Sequence, residues 1–136
     1  GTGTAVARTA TYPLTVTGTG GGCSGSNGTD VAIPDTNTNV TSSISITGCG
    51  RNASASSSVT VNIVHTYRGD LVIDLVAPDG TAYRLKNSSI FDSADNVNAT
   101  YPVNLSSEAA DGTWQLRVRD VYSGDTGYIN SWSLTL

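Results

Sequence analysis

The chain has 136 residues, a size that fits one compact domain, and only 13% of them are charged. Its richness in Thr, Ser, Gly and Val is typical of a turn-rich β-protein and argues against a helical one. A formal net charge of −4 excludes the basic surface that nucleic acids and anionic membranes require, which makes divalent cations the better candidate ligands. No apolar run approaches the roughly 18 residues of a membrane span, so we expect a soluble fragment.

The start of the chain differs in composition from the rest. Residues 1–22 are small and polar and end in a glycine-rich run, which predicts a linker or an expression-derived segment. Within it, only Tyr12–Thr17 has the composition of a short strand. We therefore predict one domain over residues 23–136, beginning at Cys23.

Cys23 and Cys49 are the two cysteines of the chain. An even pair in a domain whose other features look extracellular favours a disulfide, with two free thiols in a cytosolic protein as the alternative.

Alternating apolar residues predict the strands that follow. The segments with this period-2 pattern, in chain order, are 43–47, 59–65, 71–75, 82–86, 113–119 and 132–136. No segment shows helical periodicity, and the segments recur at spacings near ten residues with short turns between them. The pattern predicts an all-β chain folded as a sandwich.

Three stretches of the chain are distinctive: His65 to Lys86, Gly112 to Val118 and Gly124 to Leu134. Together they resemble one known family, the proprotein-convertase P domain. The resemblance implies a jelly-roll-like, galactose-binding-like β-sandwich. It also implies a non-catalytic accessory domain of a secreted protease, which supports the folding, stability or interactions of its parent peptidase. The expected partner is the catalytic domain of that protease, with a protein substrate or inhibitor as a further candidate, and the domain itself is expected to be a monomer.

Strand direction predicts where the aspartates gather. If successive strands run antiparallel, several aspartates fall at one end of the sandwich: Asp35, Asp70, Asp92, Asp95, Asp120 and Asp125. Asp79, Glu108 and Asp111 fall at the other end, where a solvated aspartate is expected to contribute little to stability.

Clustered carboxylates repel one another unless a hard dication neutralises them, and calcium prefers oxygen ligands from loops of this composition. The segment Asp92-Ser93-Ala94-Asp95-Asn96 also resembles the Asp/Ser-rich segment of convertase P domains. We therefore predict a calcium site formed by the six aspartates of the first group. The alternative is that they are turn formers and solvated loop charges.

Catalytic groups are scarce in this sequence. His65 is the only histidine, and its place in the alternating pattern predicts a buried side chain bonded to a nearby carboxylate or carbonyl. With one histidine and no cluster of cysteines, the sequence lacks the residues that a hydrolytic triad or a zinc site requires. The tripeptide Arg68-Gly69-Asp70 is interpreted as a tight strand connection in which Asp70 ties loops together, and not as an integrin motif.

The aromatic residues leave a second function open. Trp114 and Trp132 could form a sugar-stacking platform in a carbohydrate- or cell-wall-binding module, but both lie on apolar strand faces, which favours core packing. Tyr67, Tyr101 and Tyr122 are predicted to be loop or loop-edge aromatics that could contact a partner.

Overall fold

The computed structural model describes residues 23–136, so the predicted linker and the predicted strand Tyr12–Thr17 lie outside the described residues. The described chain forms nine strands: β1 Ser24–Asn27, β2 Val31–Ile33, β3 Val40–Ile46, β4 Ser57–His65, β5 Leu71–Val76, β6 Ala82–Lys86, β7 Val97–Val103, β8 Gly112–Asp120 and β9 Gly127–Thr135. One 3₁₀ turn, Arg68–Asp70, connects β4 to β5. No helix in this range is long and apolar enough to cross a membrane.

The strands form two antiparallel sheets. One has the order β1-β9-β4-β7, with the short β2 also pairing with β9, and the other has the order β3-β8-β5-β6. Residues from both sheets meet in one hydrophobic core. The predicted all-β sandwich is therefore confirmed.

The predicted strand bounds agree with the structure to different degrees. The prediction for β6 matches the structure, and those for β4, β5 and β8 differ by one or two residues. β3 begins earlier, at Val40, and β9 begins at Gly127, well before the predicted 132–136. β1, β2 and β7 have no counterpart among the predicted strands.

Both tryptophans lie in the core, as predicted. The exposed fraction is 0% for Trp114 and 2% for Trp132. Each indole nitrogen donates a hydrogen bond at 2.9 Å, the first to the Ala110 carbonyl and the second to the Ser42 hydroxyl. Their rings are thus unavailable as an exposed platform for a sugar.

The predicted disulfide between Cys23 and Cys49 is confirmed, with 5.9 Å between the two Cα atoms. Cys23 immediately precedes β1 of one sheet, and Cys49 follows β3 of the other. The bond therefore links the two sheets at the end where β1 begins and β3 finishes.

Alternating strand direction places the connections at two ends of the sandwich. We call the end formed by connections 34–39, 66–70, 87–96 and 121–126 the acidic end. β4 and β8 run towards it, while β3, β5, β7 and β9 run away from it. The disulfide and the β5–β6 and β7–β8 connections lie at the opposite end.

Candidate metal centre

Three buried side chains meet at the acidic end. His65 is the last residue of β4, Asp120 is the last residue of β8, and Asp70 closes the 3₁₀ turn between β4 and β5. One ligand atom of each lies within 4.8 Å of the others. Their exposed fractions are 0%, 1% and 4% respectively. Two buried carboxyl groups this close oppose each other's ionisation.

His65 is satisfied by two hydrogen bonds. Its Nδ1 accepts from the backbone N–H of Tyr67 at 3.1 Å, so the ring proton lies on Nε2, which donates to Asp120 Oδ2 at 2.9 Å. Both ring nitrogens are therefore occupied, and neither is free to bind a metal or act as a base. The predicted buried histidine bonded to a carboxylate is confirmed.

Asp70 has a carboxylate oxygen without a partner. Its Oδ2 is buried and receives no hydrogen bond from residues 23–136. Burial raises the pKa of Asp70, and the neighbouring Asp120 raises it further. Since the unfolded chain loses this proton at lower pH, the ionised carboxylate destabilises the native fold, and that cost grows as the pH rises through the folded pKa.

Asp35 and Asp125 extend the carboxylate cluster. Asp35 Oδ2 accepts from the backbone N–H of Gly124 at 2.7 Å, while its Oδ1 is buried with no partner in the described part of the chain. Asp125 Oδ1 accepts from the Thr66 hydroxyl at 2.8 Å. Both carboxylates lie close enough to raise the pKa of Asp70. The structure thus brings four of the predicted aspartates to one place.

Asp120 has hydrogen-bond partners on both oxygens. Oδ2 accepts from His65, and Oδ1 accepts from the backbone N–H of Tyr122 at 3.2 Å. The pKa of Asp120 is raised, because the effect of burial is larger than the opposing effects of these hydrogen bonds and of the His65 ring. The two bonds fix the Asp120 carboxylate in orientation beside Asp70.

Asp92 and Asp95 lie on the same end but apart from this cluster. Asp92 accepts from Arg68 Nε on both oxygens, at 3.1 and 2.9 Å, and the hydrogen bond from Arg68 lowers the pKa of its carboxyl. Asp95 is exposed. In this arrangement the carboxylate of Asp92 neutralises an arginine.

This arrangement suits a hard cation. Asp35 Oδ1 and Asp70 Oδ2 are buried acceptors with no donor in residues 23–136, and more carboxylate oxygens lie beside them. Calcium takes six to eight oxygen ligands, so a cluster of carboxylates on several neighbouring loops is chemically suited to it. The two unpartnered oxygens are what an ion would satisfy.

At the opposite end of the sandwich, two acidic side chains accept hydrogen bonds from other parts of the chain. Asp111 accepts from the backbone N–H groups of Cys49 at 2.8 Å and Gly50 at 2.9 Å, and these bonds lower its pKa. Glu108 is buried and accepts from the Tyr83 hydroxyl. Asp111 is exposed, as expected of a solvated aspartate, but it also binds two backbone donors that the sequence did not predict.

Gly69 is required by packing and not by its backbone angle. Its N–H donates to the Asp92 carbonyl at 3.0 Å and its carbonyl accepts from Ser89 N–H at 2.8 Å, so the 87–96 connection lies directly on it. A Cβ at this position would come 2.0 Å from the Ser89 carbonyl oxygen. Both Gly69 and Asp70 are buried, so the tripeptide is a strand connection, as predicted.

The three tyrosines differ in position. Tyr101 is not in a loop: it lies in β7 and packs against the core, because the alternation of that edge strand turns it inward. Tyr67 donates its hydroxyl to the Ile90 carbonyl, and Tyr122 is 42% exposed. The most exposed large apolar side chain of the described residues is Phe91, at 91%, which the sequence pattern had not singled out.

Comparison with known proteins gives one family. The family described as Proprotein convertase P-domain matches residues 54–136, which is more than half of the chain. The match includes Asp70, Asp120 and Asp125 and stops short of Asp35.

Two relatives are proteases. A transglutaminase-activating metalloprotease of Streptomyces mobaraensis is 64% identical over 75 residues, which is 55% of this chain and 10% of that protein. A calcium-dependent protease of Trichormus variabilis is 35% identical over 86 residues, 57% of this chain and 13% of that protein. The chain therefore spans only a small part of the length of these relatives.

One solved structure has a related fold. The complex of an Aeromonas sobria serine protease with the chaperone ORF2 contains a chain that matches with a TM-score of 0.51 and 20% identity. The match covers 79% of this chain and 26% of that chain. At this level of identity the likeness shows the fold alone.

Proposed function

Since the chain belongs to the proprotein convertase P-domain family, we propose that residues 23–136 form a non-catalytic accessory domain of a secreted peptidase, stabilised by calcium. Its role is to support the folding, stability or interactions of that peptidase. The relatives described above are proteases in which the similar segment is a small fraction of the length, which supports this assignment.

The pair of buried, unpartnered oxygens on Asp35 and Asp70 is the main support for calcium. In the proposed site these two carboxylates bind the ion, with Asp120 and Asp125 beside them. Calcium would supply the positive charge that offsets their mutual repulsion, and so hold the connections of the acidic end together. We leave Asp92 and Asp95 out of the proposed ligand set, because Asp92 is paired with Arg68 and Asp95 is exposed.

A similarity to a protease named for its calcium dependence adds support, because that protein is 35% identical to this chain over 86 residues. The name applies to the whole of that protease. Its bearing on this domain is a proposal, which direct measurement of calcium binding to residues 23–136 would test.

The single histidine and both cysteines of the chain are engaged in structural contacts. His65 is fully buried with both ring nitrogens bonded, and Cys23 and Cys49 are joined to each other. A calcium ion held by carboxylates is a weaker activator of water than zinc. These features support a structural and placement role, and the disulfide supports an oxidising, extracellular location.

Removing residues 23–136 from the parent protease is expected to lower its secreted yield and to speed its heat inactivation. Turnover of a small peptide substrate per active site should stay within about twofold, because the domain supplies no catalytic group. The measurement compares both forms after active-site titration, with a large protein substrate alongside the small one. A fall of orders of magnitude in small-peptide turnover, with the peptidase still folded, would show that the domain takes part in the chemistry.

A further inference from the structure

A group of arginines lies on the outer face of the four-stranded sheet. Arg117 and Arg119 are two residues apart on β8 and so point to the same face, and Arg84 stands on β6. Between these strands, β5 contributes Asp74 opposite Arg84 and Arg117, and Val72 opposite Arg119. Together with Asn39 these side chains line a cavity of about 170 Å³, which we call the arginine cavity.

Both carboxylate oxygens of Asp74 accept hydrogen bonds from arginines of this cavity. Its Oδ1 accepts from Arg84 Nε at 2.5 Å, and its Oδ2 accepts from Arg117 Nη2 at 3.1 Å. One carboxylate therefore bridges two guanidinium groups from the strands on either side of β5. Three guanidinium groups face one carboxylate, which leaves two positive charges without a counterpart in this cluster.

Within residues 23–136, Arg119 is the member of the group whose buried Nε lacks an acceptor. Its Nε is buried and has no hydrogen-bond partner among residues 23–136. The residue opposite it, Val72, is only 8% exposed and offers no acceptor from its side chain. A buried donor without a partner costs free energy, so an acceptor from outside the domain that bonded to this Nε would remove that cost.

We propose that the arginine cavity binds a carboxylate of a protein partner, supplied by an aspartate or glutamate side chain. The Asp74 bridge shows which anion fits: a planar carboxylate between neighbouring guanidinium groups. A second carboxylate between Arg117 and Arg119 would repeat that arrangement and satisfy the buried Nε. The chain as a whole has a net charge of −4, so this local excess of positive charge selects an acidic contact and not an extended polyanion.

The proposal is independent of the calcium site, because it concerns the outer face of one sheet and different residues. It assigns an interaction surface through which the domain would hold an acidic segment of another protein.

The test is a titration of the chain with two blocked tetrapeptides, acetyl-Gly-Glu-Glu-Gly-amide and acetyl-Gly-Gln-Gln-Gly-amide, followed by NMR of the arginine Nε–H groups. We expect the acidic peptide to shift the resonances of Arg117 and Arg119 and the neutral peptide to leave them unchanged. Equal shifts with both peptides, or none with the acidic one, would overturn the proposal. Tighter binding of inorganic phosphate or sulfate than of the acidic peptide would also overturn it.

Three variants separate binding in the arginine cavity from a general effect of charge. Arg119→Gln should weaken binding of the acidic peptide by about tenfold or more, while Arg119→Lys, which keeps the charge but loses the planar fork, should weaken it less. Arg68→Gln removes the same charge at the acidic end and should change binding by less than about twofold. Equal losses for Arg119→Gln and Arg68→Gln would show that only net charge matters. Thermal melting of each variant confirms that it is folded.

Discussion

Replacing Gly69 with alanine is expected to lower the free energy of unfolding by about 3 kcal/mol or more. The new methyl group would lie 2.0 Å from the Ser89 carbonyl oxygen and 2.5 Å from that of Asp92, and both obstacles are backbone. Relief requires the 87–96 connection to move away, which breaks the two backbone hydrogen bonds that Gly69 makes with it. The measurement is urea unfolding of the variant beside the unsubstituted chain.

Gly28→Ala is the matched control. No heavy atom lies within 4 Å of the position that its Cβ would take. A glycine-to-alanine change there should alter the free energy of unfolding by less than about 1 kcal/mol, and in the stabilising direction if the backbone suits alanine. A Gly69→Ala chain as stable as the Gly28→Ala chain would show that the 87–96 connection does not pack on Gly69 as described.

Removing the disulfide by the double change Cys23→Ser and Cys49→Ser is expected to cost about 3.5 kcal/mol in the chain-entropy model. The two cysteines are 26 residues apart in sequence, and the bond links strands of opposite sheets. β1 and β2 are short and contribute few apolar side chains to the core, so little else compensates. The melting midpoint should fall by roughly 10–20 °C.

Reduction provides the control for this variant. Dithiothreitol should lower the midpoint of the unsubstituted chain to that of the serine variant and leave the variant unchanged. If the bond is removed and the midpoint hardly moves, the hydrogen bonds from Cys49 and Gly50 to Asp111, with the pairing of β1 to β9, are sufficient to hold this region.

The strands were predictable where one face is buried and the other is not. β4 and β8 show this most clearly, since inward Val59, Val61, Trp114 and Leu116 are buried while the residues between them are not. β1 and β2 lack this signal, because they exist by pairing with the edge of β9 and not by an apolar face of their own. Pairing between distant segments leaves little mark on local sequence.

β7 was not among the predicted strands, and it contains Pro102, a residue that disfavours a strand in the middle of a sheet. Among the described strands, β7 lies at the end of its sheet and pairs only with β4, where a residue without an N–H is tolerated. The inward side chains of Val97, Ala99 and Tyr101 nevertheless alternate with exposed Asn98 and Thr100. That alternation was the available signal.

The position of the aspartates was predictable, but their partners were not. Most successive strands cross from one sheet to the other, yet direction still alternates from β2 onward, so counting directions placed Asp35, Asp70, Asp120 and Asp125 at one end. Nothing in residue type distinguishes Asp92 from these. Its pairing with Arg68 depends on how the 87–96 connection folds back over the 3₁₀ turn.

No local sequence motif marks the arginine cavity. Arg117 and Arg119 are alternating outward positions of β8, and Arg84 lies on β6; on their own these are ordinary solvent-facing charges. Their convergence depends on β5 and β8 being neighbours in the same sheet, a long-range pairing.

Calcium-dependent stability is the central claim, and thermal melting in EDTA and in millimolar calcium tests it most directly. Calcium at a hundredfold excess over its Kd should stabilise the chain by about 2.7 kcal/mol, which raises the midpoint by about 10 °C. Asp70→Asn should melt in EDTA at or above the midpoint of the unsubstituted chain, because a buried ionised group is removed, and should gain little from calcium. Asp30→Asn, a change at an exposed aspartate, should respond as the unsubstituted chain does. Identical midpoints of the unsubstituted chain with and without calcium would contradict the account.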